Sequence, residues 1–439
     1  MNFTTDYRLE NFILQTQWAD IPAPVQERLR GCMLDLLGAL VAGSGSGQFA
    51  AGLALARRAF RSGDIAVIGA ADTFDFLGAS AAMGHASNAY DIDDGHNIIR
   101  AHPGTSFIGG LLAAGYECDL NAQDFLAALY VSYETTIRMG EAIMDYYQYA
   151  HSSGTFGAVG VAAGAGRIYG LDRAALNNIL SIAEFNAPLV PGIRSVEYPS
   201  MNKDGVPFGV MIGALALLAD QCGFTGNKHL LEADEYRRYL DDLGQNHEVM
   251  ALYFKPYPCC RWGHPAIDAC LALMAEHHVT AQDIKSVTVE TFYKATQLSK
   301  GIPSCADAAQ YNIAYPVAAA IVNNGFSIQQ VENTNDDAVI DMMGRLSFVC
   351  VPELDAQFPA RRLCRAAMVL KDGRRIVSDV HEPRGEACEN IGYDWLADKF
   401  HRITAHRLTS PQQEVFIQRL HNDDWTVRQL ISQVNAALL

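Results

Sequence analysis

Apolar residues recur at spacings of three and four through roughly the first 265 positions, and at a spacing of two only later. The chain therefore reads as mostly helical. After Pro22 and Pro24, the residues Val25, Leu29, Met33, Leu36, Leu37 and Leu40 fall on one helical stripe, which the Gly/Ser run from Gly43 to Gly47 ends. Stretches 78–89, 109–116, 125–133, 157–168 and 210–221 are rich in Ala, Gly and Leu, which predicts helices packed closely around a compact core. Between about 284 and 380 the period changes. Val287 and Val289 alternate with Ser286, Thr288 and Glu290, as in a strand buried on one face. Residues 366–370 and 376–380 flank Asp372-Gly373, a hairpin turn signal. This segment reads as a small α+β domain. The chain then returns to helix at Ser410, with Ser410 as N-cap, Pro411 at the first helical position and Gln413 closing a capping box. Leu420, Val427, Leu430, Ile431 and Val434 return to the helical core.

Composition narrows the function classes. With 439 residues, 49% of them hydrophobic, the chain can bury a large core and fits two or three domains. Against 33 Lys and Arg stand 49 Asp and Glu, a net charge of -16, which leaves no extended basic surface for nucleic acid or an anionic membrane. An anionic small molecule stays within reach if the few cations converge in one cleft. Asp6, Glu10 and Asp20 interrupt the N-terminal apolar residues, so no secretory signal is expected. The apolar stretch 32–42 carries Asp35 and stops at Gly43, too short to cross a bilayer. Ten cysteines without Cys-x-x-Cys spacing point to reduced thiols and a cytoplasmic location.

Chemistry concentrates in five places. Tyr90-Asp91-Ile92-Asp93-Asp94-Gly95-His96, then Arg100, His102, Pro103 and Gly104, puts three carboxylates and two imidazoles within twelve residues. The Pro-Gly pair can turn His102 back towards Asp91. Clustered aspartates can also hold magnesium and a diphosphate, but the repeated DDxxD spacing is missing, and no metal is expected. The bland alternative is a solvated acidic loop. His151, Ser152, Ser153 and Thr155 precede a small-residue helix whose free N–H groups and hydroxyls suit a carboxylate. Lys203, and then Lys255, Arg261 and His264 around Cys260 in a Pro-punctuated loop, offer basic groups, of which Lys and Arg can clamp carboxylates and stabilise carbanion-like charge. Tyr311 offers a phenol as a weak acid. No Gly-rich dinucleotide fingerprint and no iron-sulfur cysteine triplet is present, so no cofactor is expected.

Taken together, these stretches resemble the MmgE/PrpD family, whose members include 2-methylcitrate dehydratase, cis-aconitate decarboxylase and iminodisuccinate epimerase. The resemblance rests on Leu34-Asp35-Leu36-Leu37-Gly38, the 91–96 segment with His102-Pro103, and Gly154-Thr155-Phe156-Gly157. Asn202-Lys203-Asp204-Gly205 and Lys255-Pro256-Tyr257-Pro258-Cys259-Cys260-Arg261 with His264-Pro265 complete it. It implies a mainly α homodimer. Each subunit would have a large all-helical domain formed by both chain ends, residues 1–267 and 398–439, and a smaller inserted α+β lid domain, residues 268–397. It places Asp91, His102, His151, Lys203 and Tyr311 among the catalytic groups. His96, Arg100, Thr155, Lys255, Cys260 and Arg261 would hold a small polycarboxylate. Three positions depart from the family pattern: Gly95 where many relatives have Thr, Asn88 where many have His, and Cys260 where the decarboxylase has a functional His.

The implied activity is cofactor-independent acid-base chemistry α to a carboxylate, with His102 or Asp91 as base and His151 or Tyr311 as acid. A dehydratase ranks first, an epimerase second and a decarboxylase-like lyase third. A non-catalytic dimer binding a metabolite is the alternative from another class.

Overall fold

A computed structural model describes residues 1–147 and 152–439, and it is mainly α. The predicted helices are present: Ala23–Gly43, Thr105–Cys118, Ala122–Tyr147, Ser153–Ile168 and Val206–Gln221 are longer than the patterns that announced them, while Phe76–Ser87 begins and ends two residues earlier than the expected stretch 78–89. Small residues set their spacing. A side chain at Gly154 would strike the carbonyl of Gly205, and one at Gly209 would strike the carbonyl of Gly154, so the helices Ser153–Ile168 and Val206–Gln221 meet backbone to backbone. No single helix among the described residues is long and apolar enough to cross a membrane.

Two large apolar clusters divide the interior. One gathers residues from Leu9 to Phe254 with Tyr393 to Val434; the other is drawn mainly from Tyr257 to Ile376, joined by Ala39, Ala42, Ala89, Tyr90, Ile92 and Ile403. The second cluster lies under a four-stranded sheet. Its strand Ile284–Thr291 pairs in parallel with Leu346–Cys350 and antiparallel with Cys364–Leu370, which pairs with Arg375–Val377. Val287 and Val289 face inward, as the alternation requires. The hairpin turns at Gly373, whose φ of 92° is open to glycine. Its second strand stops at Val377, short of the predicted residue 380, because the Ser378 side chain donates to the Asp379 carbonyl and accepts the Ala366 N–H.

A second correction concerns the helix Ser410–His421. Thr409, not Ser410, is the cap, and Gln412 rather than Gln413 closes the box. Gln413 is buried, and its amide donates to His401 O and Thr404 Oγ1, tying this helix to Tyr393–Thr404. Tertiary packing claimed the side chain that local pattern had assigned to the cap.

The helix Tyr393–Thr404 returns to pack on Ala23–Gly43 and brings Lys399 with it. Lys399 Nζ lies 2.5 Å from Asp35 Oδ1 and donates to Ile92 O at 2.6 Å. Both side chains are fully enclosed. Burial raises the Asp35 carboxyl and lowers the Lys399 ammonium from their ordinary values, so desolvation consumes much of the pair's attraction. Lys399→Met is expected to cost about 3 kcal/mol in denaturant unfolding by orphaning Asp35. Adding Asp35→Leu is expected to recover most of that loss, and a double variant as weak as the single would contradict it.

Candidate active site

The loop 88–94 leaves the C-terminal end of the helix Phe76–Ser87 and runs through the interior rather than over the surface. A solvated acidic loop is thereby excluded: Asp93 and Asp94 have no exposed surface, and Asp91 almost none. Burial raises the Asp93 carboxyl and pushes that of Asp94 up to about 7. Asp94 accepts hydrogen bonds from Tyr133 Oη and from Gly104 N–H, the latter at 3.0 Å. The Pro103-Gly104 turn works as predicted. It carries His102 back so that Nε2 lies 3.3 Å from Asp91 Oδ1, while Nδ1 meets the Asp94 carbonyl at 2.6 Å. A carbonyl only accepts, so Nδ1 carries a proton and exchange with a reactant falls to Nε2. The Ser153 hydroxyl accepts the His102 N–H at 2.9 Å and fixes the ring from behind.

A short ladder sets the next contact. Gly95 pairs with Tyr253 and His96 with Leu252, which brings the loop after Tyr253 alongside the aspartates. Lys255 Nζ then lies 2.6 Å from both the Asp91 carbonyl and Asp91 Oδ1. Burial opposes the ammonium, but Asp91 and Asp93 outweigh it and hold Lys255 above its ordinary pKa. Asp91, Arg100 and Lys203 all sit at positive φ, 49°, 52° and 38°, a concentration of backbone strain at one place.

Asp91, Arg100, His102 and Lys255 line a cavity of about 270 Å³ with Asp204, Tyr311, Cys260, Arg261, Tyr253 and Arg362. Tyr311 Oη donates to Asp204 Oδ2 at 3.3 Å, and the Ser152 hydroxyl donates to Asp204 Oδ1. Burial, then Asp204, raises the Tyr311 phenol well above its ordinary value, so it keeps its proton. Cys260 faces the cavity as a thiol pushed up to about 12 by burial. Arg261 stacks on the Tyr253 ring at 4.0 Å and pairs with Glu386 at 2.7 Å. Among the lining residues five are Lys or Arg and two are Asp, so an acidic protein turns a cationic cleft to its ligand.

Some expected site residues do not reach this cavity. Lys203 Nζ donates to the Asn88 and Ala89 carbonyls and, at 3.0 Å, to Gln310 Oε1, with Asp307 at 3.4 Å. It is fully enclosed beneath the loop rather than lining the cavity, and burial lowers its ammonium. Thr155 donates to Pro188 O at 2.7 Å and accepts the Val190 N–H, a structural tie away from the cavity. His96 is buried against Glu248 at 3.6 Å and faces a separate hollow. His264 is buried with Nε2 3.0 Å from Cys259 O. His151 lies outside the described residues. Of the three departures, Gly95 has a visible reason: a side chain there would run into the Tyr253 ring. Asn88 is buried with no hydrogen-bond partner for its amide among the described residues.

Sequence reasoning missed Tyr253, Arg362, Lys294 and Asp204. Asp204 adjoins Lys203 in a quoted motif and was within reach; the other three carry no local signal. One donor atom each from Asp91, His102 and Asp204 can come within 4.8 Å of the others, a spacing three metal ligands can span. An ion there would compete with Lys255 for Asp91.

The chain matches the MmgE/PrpD N-terminal domain over residues 7–242 and the MmgE/PrpD C-terminal domain over residues 257–423. It belongs to the MmgE/PrpD family, which is of dehydratase and lyase type. No curated protein matches it.

Asp91→Asn and His102→Gln keep shape while removing proton transfer, and each is expected to lower turnover by about 10²-fold or more; the melting temperature is expected to change little for His102→Gln and to fall for Asp91→Asn, which leaves Lys255 without its buried counter-ion. Lys203→Ala is expected to lower the melting temperature as well, because it frees carbonyls that hold the loop. A destabilised but fully active Asp91→Asn protein would sink the assignment.

Proposed function

We propose that this protein is a cofactor-independent dehydratase that removes a proton α to a carboxylate of a small di- or tricarboxylate and expels a β-hydroxyl. The observation that carries this reading is one oxygen, Asp91 Oδ1, with His102 Nε2 at 3.3 Å and Lys255 Nζ at 2.6 Å in a cavity of net positive lining. Carbon acids beside carboxylates lose protons slowly because negative charge accumulates on an already anionic group. A base must therefore act beside fixed cations. Asp91 and His102 supply the base, and Lys255 lies beside the charge that develops. Tyr311, a phenol that keeps its proton, would protonate the leaving hydroxyl by turning that proton away from Asp204 Oδ2, its acceptor at 3.3 Å. Trp262, Phe358 and Val196 form an apolar wall that strengthens these interactions by excluding water.

Return of a proton to the opposite face instead of loss of hydroxyl would make the same groups an epimerase. Two proton-carrying groups, His102 and Tyr311, line the cavity and support that as the second reading. Decarboxylation is less well served, since Cys260 offers a protonated thiol where the decarboxylase has an imidazole.

A panel of di- and tricarboxylates in deuterated water, followed by proton NMR with and without a chelator, separates these outcomes. Water loss with α-proton exchange is expected, unchanged by chelation. Exchange with inversion alone would make the protein an epimerase. Absence of both would remove the enzyme reading. Activity lost on chelation and restored by a divalent ion would turn Asp91, His102 and Asp204 into ligands.

We also propose that two chains pair. Phe185, Leu189, Tyr198, Met201 and Phe208 are exposed on neighbouring elements of the helical part, more apolar surface than one water-facing region carries without purpose. Light scattering at micromolar concentration is expected to give the mass of a dimer; a monomer mass there would refute it.

A further inference from the structure

Arg362 stands just ahead of the strand Cys364–Leu370 and reaches the cavity from the sheet-bearing part of the chain. It is 6% exposed. Among the described residues no carboxylate lies within ion-pair distance of its guanidinium, and one of its five N–H groups, on Nη1, donates to Asn97 Oδ1 at 2.8 Å. The nearby carboxylate is already engaged. Glu386 Oε1 accepts from Arg261 Nη2 at 2.7 Å, and Glu386 Oε2 accepts from Asn97 Nδ2 at 2.8 Å. That second bond fixes the Asn97 amide, because its NH2 must face Glu386 and its oxygen must then face Arg362.

Such a buried guanidinium is costly to maintain. A single neutral amide oxygen does not offset the removal of a cation from water, and Arg261 and Arg100 add like charge, which Glu386 counters only from beyond ion-pair distance. Burial accordingly lowers the Arg362 pKa from its ordinary value. Tyr253 lines the same cavity, with Arg261, Lys255 and Arg362 all bearing on its phenol. Gly95, directly across the ladder, is what leaves room for that ring.

We propose that Arg362, with Tyr253 lining the same cavity, is the receptor for a second carboxylate of the substrate, one not attached to the carbon that loses its proton. This rests on the dehydratase reading and sharpens it. The planar guanidinium fork matches a carboxylate, and an arriving anion supplies the counter-charge that the fold withholds. The substrate must then carry at least two carboxylates, and a monocarboxylate of the same length loses most of its affinity.

The test uses tricarballylate, a tricarboxylate with no hydroxyl to lose, and butyrate as the monocarboxylate, titrated calorimetrically into the full-length protein. Arg362→Gln is expected to weaken tricarballylate by about 10- to 100-fold, the scale of a charge-assisted hydrogen-bonded contact, and to leave butyrate within about twofold. Arg362→Lys is expected to fall between, and it carries the comparison if the Gln variant does not fold. Equal losses for both acids, no loss for tricarballylate, or wild-type protein binding tricarballylate no more tightly than butyrate would overturn the proposal. Arg362-dependent binding by a protein that exchanges no α-proton would keep the receptor and remove the enzyme reading. Exchange indifferent to Arg362→Gln would do the opposite.

Discussion

Five carbonyl groups of one buried loop have to be satisfied before anything else in this site can exist. Leaving the helix Phe76–Ser87, residues 88–94 carry backbone oxygens into the interior with no ladder to receive them. Four are met by ammonium groups from distant parts of the chain and the fifth by His102, eight residues on. Lys203 takes those of Asn88 and Ala89, Lys255 that of Asp91, Lys399 that of Ile92, and His102 Nδ1 that of Asp94. These three ammonium groups also lie beside the carboxylates of Asp307, Asp91 and Asp35. One set of contacts therefore closes the hydrogen bonds and balances the charge that burying several aspartates would otherwise leave open.

That arrangement explains why lysines so far apart behave as a unit. Lys255 alone of the three opens onto the cavity; Lys203 and Lys399 are enclosed below it. The lower two act on the backbone of the loop, holding Asp91 in its positive-φ conformation. The upper one touches the carboxylate that faces a ligand. All three hold the backbone of the loop, and Lys255 alone of them also lines the cavity.

The cavity departs from the charge of the molecule that surrounds it. Overall the protein is strongly acidic, yet its cleft gathers Arg100, Lys255, Arg261, Lys294 and Arg362 around two aspartates. Distant surface carboxylates are screened within about 10 Å at ordinary salt, whereas groups walled by Trp262 and Phe358 are not. The local field is accordingly set by the lining, and it suits an anion.

Much of this was readable from the chain alone, and the rest was not, for a physical reason. Period and composition determined the helices, the strand Ile284–Thr291 and the hairpin at Gly373, since each depends on neighbours within a few residues. The dense run from Asp91 to His102 announced the carboxylate–imidazole contact for the same reason, its members being joined by one short turn. Tertiary structure decided the depth of each side chain and what else competed for it. It sent Lys203 under the loop, turned Thr155 to Pro188, gave His96 to Glu248, and gave Gln413 to His401 instead of a cap. It also brought in Tyr253 and Arg362, whose place in the cleft follows from a two-residue ladder at Gly95 and an amide at Asn97. Such contacts, with that of Lys399 to Ile92, join residues up to 307 positions apart. Local spacing carries no trace of them, because burial and counter-charge belong to the folded chain as a whole.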